Sequence, residues 1–220
     1  MYLYGITREV FNMDKKIIEQ HIKAILKEIG EDPEREGLKD TPKRVAKMYE
    51  ELFRGYDENQ KPKVTTFNNG TDGLTYNQMA MDTGACYSQC EHHMIPFMGK
   101  YWFAYIPNKK GKLLGLSKVA RIVNYYSARL QIQERLVKNI VDELWEALII
   151  RVPNDVGDAN NWKEVIEPIA MGLVMEAEHL CKTMRGVKKK GKMRTTELRG
   201  TLLSDDAARA EFLDWVNKNE

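Results

Sequence analysis

The chain has 220 residues, 43% hydrophobic and 30% charged, which is enough for one substantial core with appended helices. Its 34 basic and 32 acidic side chains leave a net charge of +2, so no global field draws it to nucleic acid or an acidic membrane, and any anion site must be local. Three cysteines at irregular spacing argue against a disulfide framework, no apolar run approaches about 18 residues, and Arg8 and Glu9 stand where a signal peptide needs apolar side chains; the expectation is a soluble cytoplasmic protein.

Residues 1–12 mix apolar and charged side chains and suit either an arm onto a neighbouring subunit or a frayed tail. From Met13 to Ile29, the residues Ile17, Ile18, Ile22, Ile25, Leu26 and Ile29 recur at spacings of three and four, which predicts an amphipathic helix stopped by Gly30. His21 lies inside it with no other ligand type nearby and reads as an ordinary helical histidine. Thr41 can cap a second helix whose first position is Pro42, running from Lys43 to Phe53 over a stripe of Val45, Met48, Tyr49, Leu52 and Phe53, with Gly55 as its stop. Arg44 and Lys47 project from one side; taken alone, such a pair is more often a solvated face than a phosphate clamp.

Residues 57–70, rich in Asn, Lys, Gly and Pro, read as a linker. Tyr87 to Cys90 alternates like the end of a strand and puts Cys86 on the face of Ser88 and Cys90. Gly99 to Ile106 has strong strand propensity, and the polar turn Pro107 to Lys112 followed by Leu113 to Leu116 predicts a β-hairpin. Ser117 begins a helical pattern through Val119, Ile122, Val123, Tyr126 and Leu130. Lys118 and Arg121 near its start join free backbone N–H groups in a weak anion-site signature. After Gln131 to Arg135, a helix is expected over Leu136 to Ile150, then a loop from Asn154 to Lys163. Ile166 to Met175 is apolar enough for a buried strand that delivers Glu176, His179 and Cys181. The run Lys188 to Lys190 lacks interleaved aromatics and reads as a solvated tip rather than a nucleic-acid patch. Met193 to Leu203 is a last strand and Asp205 to Asn217 a terminal helix.

Metal-binding chemistry is densest at Cys90-Glu91-His92-His93, where Cys90 and His93 share a C-x2-H spacing and both are favoured zinc ligands. Two ligands do not make a site, and His179 and Cys181 are the leading partners in a chain with only three cysteines and four histidines; Cys86, on the strand face of Cys90, could also approach the metal, its plainer reading being a buried structural thiol. Cys90, His93 and Cys181 would leave a fourth tetrahedral position for water, as in catalytic zinc sites, with His92 and His179 free to move protons. The opposite partition, with His92 and His179 as ligands and His93 spare, stays open on spacing alone. With Lys118, Arg121 and Arg185 as cations, the set suits a polyphosphorylated substrate attacked by water.

Taken in order, Asp40-Thr41-Pro42-Lys43-Arg44-Val45-Ala46-Lys47-Met48-Tyr49, Cys90-Glu91-His92-His93, Gly115-Leu116-Ser117-Lys118-Val119-Ala120-Arg121-Ile122, Gln131-Ile132-Gln133-Glu134-Arg135-Leu136 and His179-Leu180-Cys181 with Arg185-Gly186-Val187 resemble the successive motifs of GTP cyclohydrolase I. The resemblance implies hydrolytic opening of the GTP imidazole ring, loss of formate and reclosure to 7,8-dihydroneopterin triphosphate, the entry to folate, biopterin or 7-deazaguanine synthesis. It implies an α+β tunnelling fold: an antiparallel sheet with helices on one face, closed across subunits into a barrel in a homodecamer of two pentamers. On that plan residues 1–60 are an N-terminal arm and helical hairpin, and residues 61–220 the catalytic domain. By matching position, Cys90, His93 and Cys181 hold one Zn2+ per subunit, and His92 and His179 transfer protons. Glu134, with Gln133 beside it, holds the guanine edge. Ser117, Lys118, Arg121 and Arg185 bind the triphosphate, with Arg44 and Lys47 reaching it from a neighbouring subunit; Ser117 and Gln133 also count among the catalytic residues.

The turn Asn108 to Lys112, the loop Asn154 to Lys163 and the pair Met193-Arg194 depart from the family pattern without touching these residues. Two rival expectations are a zinc-stabilised GTP-binding oligomer without turnover and a tunnelling-fold nitrile reductase, for which Cys86 is the sole candidate nucleophile.

Overall fold

The computed structural model describes residues 11–154 and 161–219, so most of the expected N-terminal arm and of the 154–163 loop lie outside the described residues. The chain divides into two compact units between Lys61 and Pro62.

In the first unit, α1 (Lys15–Glu28) starts where the Asp14 carboxylate accepts the N–H groups of Lys16 and Ile17, and stops before Gly30, whose φ of 88° suits glycine. Helix α2 (Thr41–Leu52) begins two residues before Lys43. Asp40, not Thr41, occupies the cap position, and no side chain makes the capping bond. Pro42 and Ala46 are buried, whereas Met48 of the expected stripe is 44% exposed. Phe53 closes the unit against Tyr49 and Tyr56, with ring centroids 5.2 and 6.4 Å away.

The second unit runs β1 (Thr66–Asn68), β2 (Ala80–Cys90), β3 (Pro96–Ile106), β4 (Lys112–Leu114), α3 (Ser117–Ser127), β5 (Leu130–Gln131) and α4 (Gln133–Leu148). It continues through β6 (Ile150–Pro153), β7 (Trp162–Ile166), β8 (Ala170–His179), α5 (Leu180–Thr183), β9 (Lys192–Gly200), α6 (Thr201–Ser204) and α7 (Asp206–Lys218). The main sheet has the order β5-β2-β3-β8-β9, antiparallel except where β5 lies parallel to β2. β1 pairs with β4, and β6 with β7, in separate two-stranded sheets.

Alternation along the strands splits the core in two. Phe97, Tyr101, Phe103 and Tyr105 of β3, with Leu173 and Met175 of β8, pack under Ile122 of α3 and Leu136, Ile140 and Leu144 of α4. Trp102, Ala104 and Val174 point the other way and are covered by Leu202, Phe212 and Val216 of α6 and α7. Helices therefore lie on both faces of the sheet, not on one, because the C-terminal segment folds back over the second face.

The predicted hairpin between residues 99–106 and 113–116 does not form. Both edges of β3 are taken by β2 and β8, so β4 pairs instead with β1, which lies inside the expected linker. Helix α3 ends at Ser127 and frees Leu130 and Gln131 to pair with β2. The last strand stops at Gly200, where φ is 60° and a Cβ would sit 2.0 Å from the Ile169 carbonyl oxygen. No helix among the described residues is long and apolar enough to cross a membrane.

Candidate active site

The end of β2 and the start of β3 are joined by a tight turn that carries the Cys90 to His93 stretch. The Met94 N–H donates to the Cys90 carbonyl at 2.8 Å and the Cys90 N–H to the Ile95 carbonyl at 3.0 Å, with Met94 at φ 54°. Arg135 pins this turn to β5 and α4. It pairs with the Glu91 carboxylate and donates to Gln131 Oε1 at 3.0 Å and the Leu130 carbonyl at 3.1 Å, while the Glu91 N–H donates to the Gln131 carbonyl at 3.0 Å. This short motif thus folds by satisfying its backbone from neighbouring elements.

β8 brings the second half. His179 is opposite Phe97 in the β3–β8 register, and their rings stack with centroids 4.5 Å apart and planes 9° apart. Two residues below, Gly99 lies opposite Ala177, and a Cβ on it would meet the Glu176 carbonyl oxygen at 1.7 Å, so only glycine allows β3 this close to β8. Cys181 follows on α5, with its Sγ 3.6 Å from Cys90 Sγ. Ligand atoms of Cys90, His179 and Cys181 all fall within 4.8 Å of one another.

Two sulfurs bound at about 2.3 Å to one tetrahedral ion stand about 3.8 Å apart, so this pair fits a shared zinc without rearrangement. His92 Nδ1 is 3.6 Å from Cys90 Sγ. His93 lies outside the trio, with its Nε2 accepting from Arg185 Nη1 at 2.6 Å.

Gln133, at the head of α4, is buried and accepts at Oε1 from His179 Nε2 at 2.9 Å. Burial lowers the pKa of His179 and Lys182 adds to the effect, while the nearby Glu134 carboxylate opposes it; the ring is thereby biased towards the neutral form. Burial, reinforced by the adjacent Cys90 sulfur, raises the pKa of the Cys181 thiol. A cavity of about 410 Å3 opens beside these groups, lined by His179, Cys181, Lys182, Gly191, Lys192 and Met193.

Ser117, Lys118 and Arg121 share the first turns of α3, but no hydrogen bond or ion pair among the described residues ties them to the cluster. Arg44 and Lys47 are exposed on α2 of the first unit, where Arg44 faces Asp40 at 3.4 Å. Cys86 is buried with its Sγ 3.3 Å from Ser127 Oγ, and burial, offset in part by Ser127, pushes its thiol up to about 11. It is a structural thiol here, not a member of the metal group. Sequence reasoning assigns no role to Arg135 or Lys182; Arg135 lies within a recognised motif, whereas Lys182 carries no local signal.

The family model described as GTP cyclohydrolase I matches residues 18–217. Among curated relatives, GTP cyclohydrolase 1 of Bacillus pumilus is 46% identical over 94% of this chain and 98% of its own length. The proteins of that name from Caldanaerobacter subterraneus and Bacillus subtilis are each 43% identical, covering 93% and 94% of this chain and 98% of their own lengths. With Cys90, His179 and Cys181 gathered at one end of the sheet and similarity extending over nearly the whole sequence, the chain belongs to the GTP cyclohydrolase I family.

Proposed function

We propose that the chain opens the imidazole ring of GTP by hydrolysis at C8, releases that carbon as formate, and recloses the product to 7,8-dihydroneopterin triphosphate, at the entry to pterin and folate or 7-deazaguanine synthesis. The observation that carries this reading is the Cys90–Cys181 sulfur pair beside a His179–Gln133 hydrogen bond, in a chain with this family match. Zinc, when bound, lowers the pKa of a coordinated water towards about 7 and so supplies the nucleophile at neutral pH.

Cys90 and Cys181 are the two sulfur ligands in this account, and His93 is the imidazole ligand. That role follows from the position His93 holds in the family motif; the structure itself groups His179 with the two sulfurs, and its bond to Gln133 engages Nε2 alone. The His93 Nε2 lone pair meets the exposed Arg185 guanidinium, a group that a substrate phosphate attracts. His92 and His179 move the protons of ring opening. Glu134 accepts N–H donors of the guanine edge. Ser117, Lys118, Arg121 and Arg185 hold the triphosphate, joined by Arg44 and Lys47 of a neighbouring subunit.

Assembly into a tunnelling-fold barrel, as a decamer of two pentamers, is supported by the sheet's edges. β9 pairs only with β8 among the described residues, and β2 is covered on its outer side for two residues by β5. Such edges invite strands from another copy. The nitrile-reductase alternative is disfavoured by Cys86, whose buried thiol is held protonated.

Metal-quantified protein incubated with GTP tests the proposal through formate release and pterin absorbance. Both signals should vanish with a chelator and return with zinc. GTP binding without formate would instead support a zinc-stabilised binding protein.

A further inference from the structure

We propose that the connection from Lys182 to Lys192 is an electrostatic collector for a polyphosphate ligand, with Lys188, Lys189 and Lys190 as the charges that draw it in. Between Lys182 and Arg194 the sequence holds seven basic side chains and no acidic one. Because the whole chain carries only +2, the residues outside this stretch sum to −5. The positive charge of the protein is thus concentrated in one connection. Both ends of that connection line the cavity of about 410 Å3 that also holds His179 and Cys181, through Lys182 on one side and Gly191 and Lys192 on the other.

The run between these ends cannot stray far from the cavity. Consecutive Cα atoms are about 3.8 Å apart, so the Cα of Lys190 lies within about 8 Å of that of Lys192. Lys188 folds back towards the other end, with its N–H donating to the Arg185 carbonyl at 3.3 Å and its φ at 51°. The charge of Lys192 is offset by Glu176 at 3.0 Å. Lys182, Lys188, Lys189 and Lys190, by contrast, are exposed and have no ion-pair partner among the described residues. Their field reaches into solvent over about one Debye length, about 8–10 Å at ordinary ionic strength, which spans the cavity mouth. Such fields raise association rates by about tenfold to a thousandfold. Side chains that stay hydrated capture an anion without gripping it, so the effect falls on association and not on dissociation. This inference rests on the reading of the cavity as the GTP site.

The test is stopped-flow association of the zinc-loaded full chain with GTP carrying a fluorophore on its ribose, across a series of salt concentrations. Lys188→Gln, Lys189→Gln and Lys190→Gln combined should slow association about fivefold to twentyfold at low salt, leave dissociation within about twofold, and flatten the salt dependence. The loss should shrink for the matching GDP and GMP derivatives, in step with their charge. A control removes the same charge with Lys109→Gln, Lys110→Gln and Lys163→Gln. These lie beyond the far end of β3, about 30 Å along the strand from Pro96, where Lys110 meets Glu164 of β7. The control should change association by less than about twofold. Equal slowing by both triple variants would reduce the effect to net charge and overturn the inference, as would unchanged association in the first variant or a change confined to dissociation. In each of those outcomes GTP still binds and the substrate reading stands. Absence of binding by labelled and unlabelled GTP alike overturns that reading, and this inference with it.

Discussion

Cys90 Sγ and Cys181 Sγ, 91 residues apart in sequence, lie 3.6 Å from each other at the end of β2 and the start of α5. Two protonated thiols gain little from such proximity, whereas two thiolates on one zinc ion require it. The pair is held by structure on both sides, by the turn that Arg135 pins and by the Phe97–His179 stack.

Loss of either sulfur should therefore abolish metal binding. In Cys181→Ser and Cys90→Ser, zinc measured by atomic emission should fall to near background. His93→Ala should also lose zinc, whereas His92→Ala should keep a full complement while turnover collapses. Zinc retained in His93→Ala and lost in His179→Ala would show that the imidazole ligand is His179, the histidine grouped with both sulfurs in the structure.

Arg135 should act through the turn it holds. Arg135→Ala removes its pairing with Glu91 and its donors to Gln131 and Leu130. Zinc affinity, read by competition with a chromophoric chelator, should drop about tenfold to a hundredfold, the usual cost of losing an outer support. Arg135→Lys should rescue little, because an ammonium cannot span the three acceptors.

Phe97 carries both packing and site geometry. It is completely buried, so Phe97→Ala should cost about 3–5 kcal/mol in urea unfolding. Phe97→Leu should retain more stability yet still lower kcat, since the planar contact to His179 disappears.

Acid sensitivity should centre on Glu176. Burial alone would raise its carboxyl pKa, but Lys192 at 3.0 Å and Arg194 at 2.9 Å outweigh it and hold the group below its ordinary 4.5. A folded value below the unfolded one contributes stability that is present above about pH 4.5 and lost as pH falls through the folded value. Glu176→Gln should thus lower the urea midpoint at pH 7 and flatten its decline in acid. Equal slopes for both proteins between pH 6 and pH 3, followed by tryptophan fluorescence, would refute this assignment.

The sequence made the Cys90 to His93 turn legible because its chemistry is concentrated in four residues, and His179-Leu180-Cys181 because so few other ligands exist. The Gln133–His179 bond was not legible: it joins positions 46 apart, and glutamine carries no periodic signal. The β-hairpin expectation failed because strand propensity cannot reveal which edges are free. Pro107 to Lys112 looks like a hairpin turn, but β3 already has two partners. The two-sided core did leave a trace. Tyr101-Trp102-Phe103-Ala104-Tyr105 is apolar without alternation, as befits a strand buried on both faces.

The most direct test of the account follows the C8 carbon of GTP. With substrate labelled at C8, the zinc-loaded protein should transfer the label into free formate in step with pterin formation. Label that stays in a nucleotide product while GTP is consumed would contradict ring opening at C8.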